Sequence, residues 1–296
     1  INAIAPALAA GNAVFLKHAT QTILAGERFA EAFETAGLPE GLFTNVRLTH
    51  DAVENLIAAR SFAFVNFTGS VNGGKAIERA AAGTFTGIGL ELGGKDPGYV
   101  RADADLDSAV AGLIDGAMFN SGQCCCGIER IYVHERLFDG FVEKAKALVE
   151  GYRLGDPLDP ETTLGPMANI RFAEEVRAQI REAVAAGAKP LIDPALFPAD
   201  TSDTAYLAPQ LLVDVDHSMR VMRDETFGPV VYTNDSGRAA RIGARIETGT
   251  VFMNRCDYLD PALCWTGCKD TGRGASLSAL GYLSLTRAKS YHLKKA

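Results

Sequence analysis

Apolar and polar positions alternate along the chain in two rhythms. "AVFLK" (13–17) is a short run of strand type, and "TQTILAGERFAEAFETAG" (20–37) repeats its apolar residues at helical spacing, with Thr20 as the expected cap and Gly37 as the stop. A weaker helix over 51–59 precedes a strand at 62–67. A helix over 71–82 then ends near Gly83, and "TGIGLEL" returns as a strand. From about residue 92 the pattern predicts helices at 105–119, 136–150 and 168–186. Strands are expected near 128–133, 189–192, 209–213 and 250–253. Strand and helix taking turns in this way predicts an α/β fold with a largely parallel sheet. The longest apolar run, "INAIAPALAAGNAVFL", is broken by Asn2, Pro6, Gly11 and Asn12, so it reads as a buried helix and a strand rather than a membrane span.

Composition narrows the function classes. The chain has 296 residues, of which 47% are hydrophobic and 22% charged, as in a globular protein of one or two domains. The net charge of −7, with no basic block, argues against nucleic acid or anionic membrane as a partner. Three of the six cysteines are adjacent (Cys124, Cys125, Cys126), which does not suit a disulfide framework, and a reducing cytoplasm is the expected location. The chain lacks an initiator Met and starts inside an apolar pattern, as a fragment would.

Candidate chemistry begins in "FVNFTGSVNGGKAIERAA" (64–81). Gly69, Gly74 and Lys75 have the spacing of the nucleoside-triphosphate P-loop, but Ala76 stands where that loop needs a magnesium-holding hydroxyl. An ordinary strand–helix turn would use the glycines only for backbone freedom. A dinucleotide loop would present helix N-terminal amides and the Ser70 hydroxyl to a pyrophosphate. The loop alone does not decide between them.

Two later segments carry more. "LELGGKDP" places Glu91 at the end of a strand, and "FNSGQCCCG" places the cysteines after Gly122 and Gln123, near an expected helix start. A thiolate attacks carbonyl carbon, and helix amides lower a thiol's pKa. A carboxylate takes protons from water or thiol. Singly, a cysteine is as well explained as a small buried apolar residue, and a glutamate as a solvated surface group.

Taken together, "FTGS" with Gly74, "LELGGKDP", "FNSGQCC", "GDPLDPETTLGPM", "DETFGPV" and "GTVFMN" occur in the order of the aldehyde dehydrogenase superfamily. The resemblance covers nearly the whole chain. It implies a variant Rossmann cofactor domain, here incomplete (1–91), and an α/β catalytic domain (92–254) with an apparent internal deletion after residue 231. A tail (255–296) would return to the cofactor and oligomerisation region. It implies Cys125 as nucleophile, forming a thiohemiacetal and, after hydride transfer to a nicotinamide, a thioester. Glu91 would activate the hydrolytic water. Cys124 and Cys126 would be packing residues. The cofactor is expected to be NAD or NADP, held by Lys17, Thr20, Gly69, Ser70, Gly74, Leu92, Glu225 and Phe227. Thr20 stands where NAD-preferring relatives often carry a ribose-binding glutamate, so comparable use of NADP is expected. Asn254 matches an asparagine on the active-site side, and the turn at Asp156 is expected to be structural. The implied partners are a small aldehyde and further copies of the chain, as a dimer or tetramer.

The departures from the family pattern are equally specific. The family's oxyanion asparagine and first cofactor strands would lie upstream of Ile1, and Ser276 replaces a glutamate common after the late "K-x-S-G-x-G" motif, here "KDTGRG". Cys264 and Cys268 lack the histidine partners of a zinc site. His18, His50, His134, His217 and His292 form no triad pattern, which leaves a cysteine-dependent hydrolase as a weaker enzyme reading. An inactive chain that only binds or supports partners is the alternative of another class. Because losing one oxyanion donor costs roughly 10²–10³ in rate, the 296-residue chain by itself is expected to form negligible NAD(P)H with a panel of aldehydes. A cooperative melt together with turnover near about one per second, well inside the usual enzymatic range, would contradict that expectation.

Overall fold

A computed structural model describes residues 1–223, 230–256 and 258–294. The chain forms two units, one made of Ile1–Leu92 with the segment from Leu259 onward, the other of Gly93–Tyr258.

The first part of the chain runs through α1 (Ile4–Ala9), β1 (Val14–Lys17), α2 (Ile23–Thr35), β2 (Phe43–Val46), α3 (His50–Ala58), β3 (Phe64–Thr68), α4 (Val71–Ala81) and β4 (Gly87–Glu91). Each parallel strand pair needs a helical crossover, and the sequence supplies two. α2 joins β1 to β2, with Val14 opposite Phe43; α4 joins β3 to β4, with Thr68 opposite Glu91. The helices begin at side-chain caps where the sequence offers them: Thr49 accepts the Ala52 N–H at 3.3 Å, and Ser70 accepts the Gly73 N–H at 3.2 Å. Gly37 and Gly83 end α2 and α4 in left-handed conformation. The core between the helices and β3–β4 is Ile57, Ile77, Ala81, Leu90 and Leu92.

The next part contains β5 (Asp96–Val100), α5 (Leu106–Met118), β6 (Ile128–Val133), α6 (Glu135–Glu150), α7 (Ile170–Ala185), β7 (Lys189–Pro190), β8 (Leu212–Val213), β9 (Val230–Tyr232), α8 (Ser236–Gly243) and β10 (Phe252–Met253). Four of its strands make a parallel sheet in the order β10-β9-β5-β6. Val100, Leu113, Ile114, Phe141, Val149 and Val230 are among the buried residues of its core. At the ends of β5 and β9, Asp103 accepts hydrogen bonds from the Thr233 hydroxyl (2.7 Å) and the Asn234 N–H (3.2 Å). The Thr233 hydroxyl, helped by Arg101, holds the Asp103 carboxyl below its ordinary pKa.

The chain then returns to the first unit as β11 (Gly272–Arg273) and α9 (Ser278–Ser284). β11 pairs antiparallel with β4, placing Gly272 opposite Glu91, so the sheet order is β11-β4-β3. No helix among the described residues is long and apolar enough to cross a membrane.

The α/β expectation holds, and the predicted helices of the first two hundred residues lie within a few residues of their expected bounds. Other expectations need correction. The opening helix, expected to be buried, is α1, and none of its six residues is buried, because a helix of under two turns has little face to pack. Thr20 does not cap α2. It opens a short 3-10 turn, Thr22 takes the cap position without a capping bond, and the Thr22 hydroxyl lies 3.0 Å from His18 Nδ1. Strands β2, β5 and β9 and helix α8 were not anticipated. Pro97 and Gly98 argue against a strand, yet β5 lies inside its sheet, with an irregular register at Asp96–Pro97.

Gly272 has φ +129°, and a Cβ there would sit 2.0 Å from the Leu90 carbonyl oxygen. Gly272→Ala is therefore expected to destabilise the protein by at least about 2 kcal/mol, read as a lower melting temperature. An unchanged melt would show that β11 does not need this close approach.

Candidate active site

Glu91 closes β4, and three constraints from its own unit fix it. Its carbonyl oxygen accepts the Gly69 N–H at 3.1 Å, its backbone pairs with Gly272, and the next residue, Leu92, donates its N–H to the Thr271 carbonyl at 2.9 Å. The side chain is half-buried, and its Oε1 accepts a hydrogen bond from the Ser276 hydroxyl at 2.5 Å. The cleft around this pair is lined by Asn2, Asn66, Trp265 and Arg273, among others. Sequence reasoning noted Ser276 only as a missing glutamate. The bond to Glu91 joins residues 185 positions apart, which no local pattern shows.

The glycine loop leads from β3 into α4. Gly69 is exposed, Gly74 is buried, and Ser70 is the helix cap, so its oxygen is already engaged by the Gly73 N–H. Its hydroxyl hydrogen and the Val71 and Asn72 amides have no acceptor within the helix, the arrangement that receives anions at helix starts. A Cβ at Gly69 or Gly73 would meet the Phe67 ring at 2.7 or 2.6 Å, and one at Gly74 would meet Leu92 at 2.8 Å. The glycines thus let the loop lie close over β3 and β4. Leu92 is 5% exposed and belongs to the core, which leaves only its backbone for a ligand. Lys17 ends β1 and is half-buried, and Thr20, three residues on, is exposed. No acid occurs between Lys17 and Thr22.

The cysteines lie in the other unit. They do not start a helix: after a 3-10 turn at Phe119–Gly122 the chain turns through Cys125 and Cys126 and enters β6. The expected helix start, with its open amides beside the thiols, is therefore absent from the described residues 119–133. A strained hinge holds the turn instead. Asn120, Ser121 and Gly122 have φ of +51°, +58° and +71°, a conformation costly for serine. Side chains anchor it to the segment 165–168. The Ser121 hydroxyl donates to the Gly165 carbonyl at 2.8 Å, and Gln123 accepts the Ala168 N–H at 2.6 Å while donating to the Asn120 carbonyl at 3.1 Å. The "GPM" segment is thus a brace for the cysteine turn, a role its sequence did not reveal.

Within the turn the three thiols differ in access. Cys125 is exposed, Cys124 is intermediate and Cys126 is 6% exposed, with the Cys125 and Cys126 sulfurs 3.9 Å apart. Adjacent residues in a turn differ in environment, and of the three Cys125 is the exposed residue.

The remaining candidates sort by geometry. Glu225 and Phe227 lie outside the described residues. Asn254 accepts the Thr233 N–H and donates to the Thr233 carbonyl, both at 2.9 Å, which makes it a backbone clamp beyond β9. Asp156 accepts the Leu158 N–H at 2.9 Å inside its own turn. Cys268 belongs to a tight turn in which its N–H donates to the Thr271 hydroxyl at 2.7 Å. Among the described residues no three His, Cys, Asp or Glu side chains gather as metal ligands would.

The comparisons with known proteins agree with these motifs. The sequence profile of the aldehyde dehydrogenase family matches residues 1–233. A betaine aldehyde dehydrogenase of Rhizobium leguminosarum bv. trifolii is 35% identical, over 95% of this chain and 63% of that protein. A succinate semialdehyde dehydrogenase [NAD(P)+] of Escherichia coli is 32% identical, over 93% of this chain and 65% of that protein. The crystal structure of succinic semialdehyde dehydrogenase from Streptococcus pyogenes, in complex with NADP+, superposes with a TM-score of 0.93 at 27% identity, covering 99% of this chain and 70% of that one. This chain spans a little under two thirds of the length of these curated relatives. With its profile, its relatives and its fold in agreement, the chain belongs to the aldehyde dehydrogenase family.

Proposed function

We propose that the protein carrying this sequence oxidises an aldehyde to a carboxylate, with Cys125 as nucleophile and Glu91 as base. The observation that carries the reading is the pair of held groups: an exposed cysteine on a braced turn, and a carboxylate fixed at a strand end beside a glycine loop.

The Cys125 sulfur attacks the carbonyl carbon, forming the C–S bond and moving the π electrons onto oxygen. NAD(P)+, when bound, supplies the two-electron acceptor for the hydride that leaves this carbon. Glu91 then takes a proton from water as the water adds to the thioester, and the thiolate departs as the C–S bond breaks. The Gly69–Gly74 loop, the Ser70 hydroxyl and the Leu92 backbone would hold the cofactor's phosphates and nicotinamide side. Lys17 and Thr20 would hold its adenosine ribose. The open amides at the start of α4 and the close-lying glycines fit such a group.

In an intact parent carrying this sequence, Cys125→Ser is expected to abolish NAD(P)H formation, and Cys124→Ala and Cys126→Ala to keep most of it. Glu91→Gln is expected to slow turnover by roughly 10²–10⁴-fold and to leave an acyl adduct on Cys125 in intact-mass spectra. Equal loss in Cys124→Ala, or undiminished turnover in Glu91→Gln, would remove the corresponding assignment.

The absence of an acid around Lys17 bears on cofactor choice, because a carboxylate there would repel a 2′-phosphate while a cation and a neutral hydroxyl accommodate it. The parent is expected to use NADP at least comparably with NAD. A KM for NADP more than about a hundredfold above that for NAD, a gap near 2.7 kcal/mol, would decide against this.

A further inference from the structure

We infer that Ser276 is a positioning residue for the carboxylate of Glu91, a reading that rests on the assignment of Glu91 as base. The Ser276 hydroxyl donates to Glu91 Oε1 at 2.5 Å, within the range of about 2.5–2.7 Å for hydroxyl–carboxylate bonds assisted by charge. A glutamate at this position could pass a proton onward. A serine hydroxyl next to a carboxylate instead occupies one oxygen and leaves Oε2 for water.

The donor is itself held. Ser276 is 6% exposed, and its backbone exchanges two hydrogen bonds of 2.8 Å with Trp265. Gly281 packs so closely on it that a Cβ there would meet the Ser276 carbonyl carbon at 2.6 Å. The two residues that follow, Leu277 and Ser278, both have positive φ (+59° and +52°), and the Ser278 N–H is bonded to the Pro261 carbonyl at 2.9 Å. Two successive non-glycine residues in this region are costly, and such strain persists where the surroundings over-determine it. Here the turn follows immediately after the serine, whose hydroxyl is bonded to Glu91 at the end of β4. The return segment thus fixes Glu91 twice, through Gly272 at the backbone and through Ser276 at the side chain.

The test reads thioester hydrolysis apart from hydride transfer, using p-nitrophenyl acetate without cofactor. Cys125 sulfur forms a C–S bond to the acetyl carbon as the ester C–O bond breaks and p-nitrophenolate leaves, which gives a burst. Water then adds with its proton passing to Glu91, the C–S bond breaks, and acetate leaves, which sets the steady rate. Ser276→Ala is expected to keep the burst and lower the steady rate roughly tenfold, the weight of one hydrogen bond to a charged group. Ser276→Thr, which keeps the donor, should recover most of the rate. In the Glu91→Gln background, Ser276→Ala should add no further loss, because a residue acting through another is not additive with it.

A steady rate unchanged by Ser276→Ala, while Glu91→Gln lowers it, would overturn the positioning role and leave the base in place. Additive losses in the double variant, or failure of Ser276→Thr to recover the rate, would likewise overturn it. If Glu91→Gln leaves the steady rate intact, or no acetyl group reaches Cys125, the underlying assignment falls and the positioning role with it.

Discussion

The pairing of β11 with β4 is the constraint on which the first unit depends. β4 ends at Glu91, and without a partner on its outer side its last residues would carry open amides and carbonyls. Closure requires the two backbones to approach until a Cβ at Gly272 would overlap the Leu90 carbonyl, so only glycine fits. One hydrogen-bonded contact thereby joins residue 91 to a segment some 180 positions later and fixes both ends of the candidate base. The glycine loop depends on it as well, since the Gly69 N–H is bonded to the Glu91 carbonyl.

The cysteine turn in the second unit follows a different logic. Nothing regular holds it: it is neither helix nor strand, and its entry carries two non-glycine residues at positive φ. Its definition comes from side chains, with Ser121 and Gln123 bonded to the backbone of 165–168. Strain at such a place is affordable because the sheet beneath is well packed, with Val100, Leu113 and Ile114 at or near zero exposure. One candidate group is therefore set by sheet register and the other by a braced turn.

How much of this was legible in the sequence depends on the range of the interaction. The helices α2, α4, α5, α6 and α7 carry their own periodicity, each with a side-chain cap or a following glycine at one end at least, and their positions follow from local physics. β2 and β9 are short, and β5 contains Pro97 and Gly98; tertiary pairing overrides their weak local preference. Thr20 and the cysteine segment depart from expectation for one reason: a capping residue or a glycine such as Gly122 marks a chain reversal without saying whether a helix, a 3-10 turn or a strand comes next. The identities of Glu91 and Cys125 as candidates came from ordered motifs. The Ser276 contact and the 165–168 brace did not, because each is a side-chain bond made only after the fold has formed.

The most direct measurement is amide hydrogen exchange at Gly69 and Leu92, which report on the two sides of Glu91. If β11 closes the sheet as described, the Leu92 amide, bonded to Thr271, will be protected to the same degree as the Gly69 amide and will open with it as one cooperative unit. A Leu92 amide exchanging at the rate of an unfolded chain, beside a protected Gly69, would contradict the account.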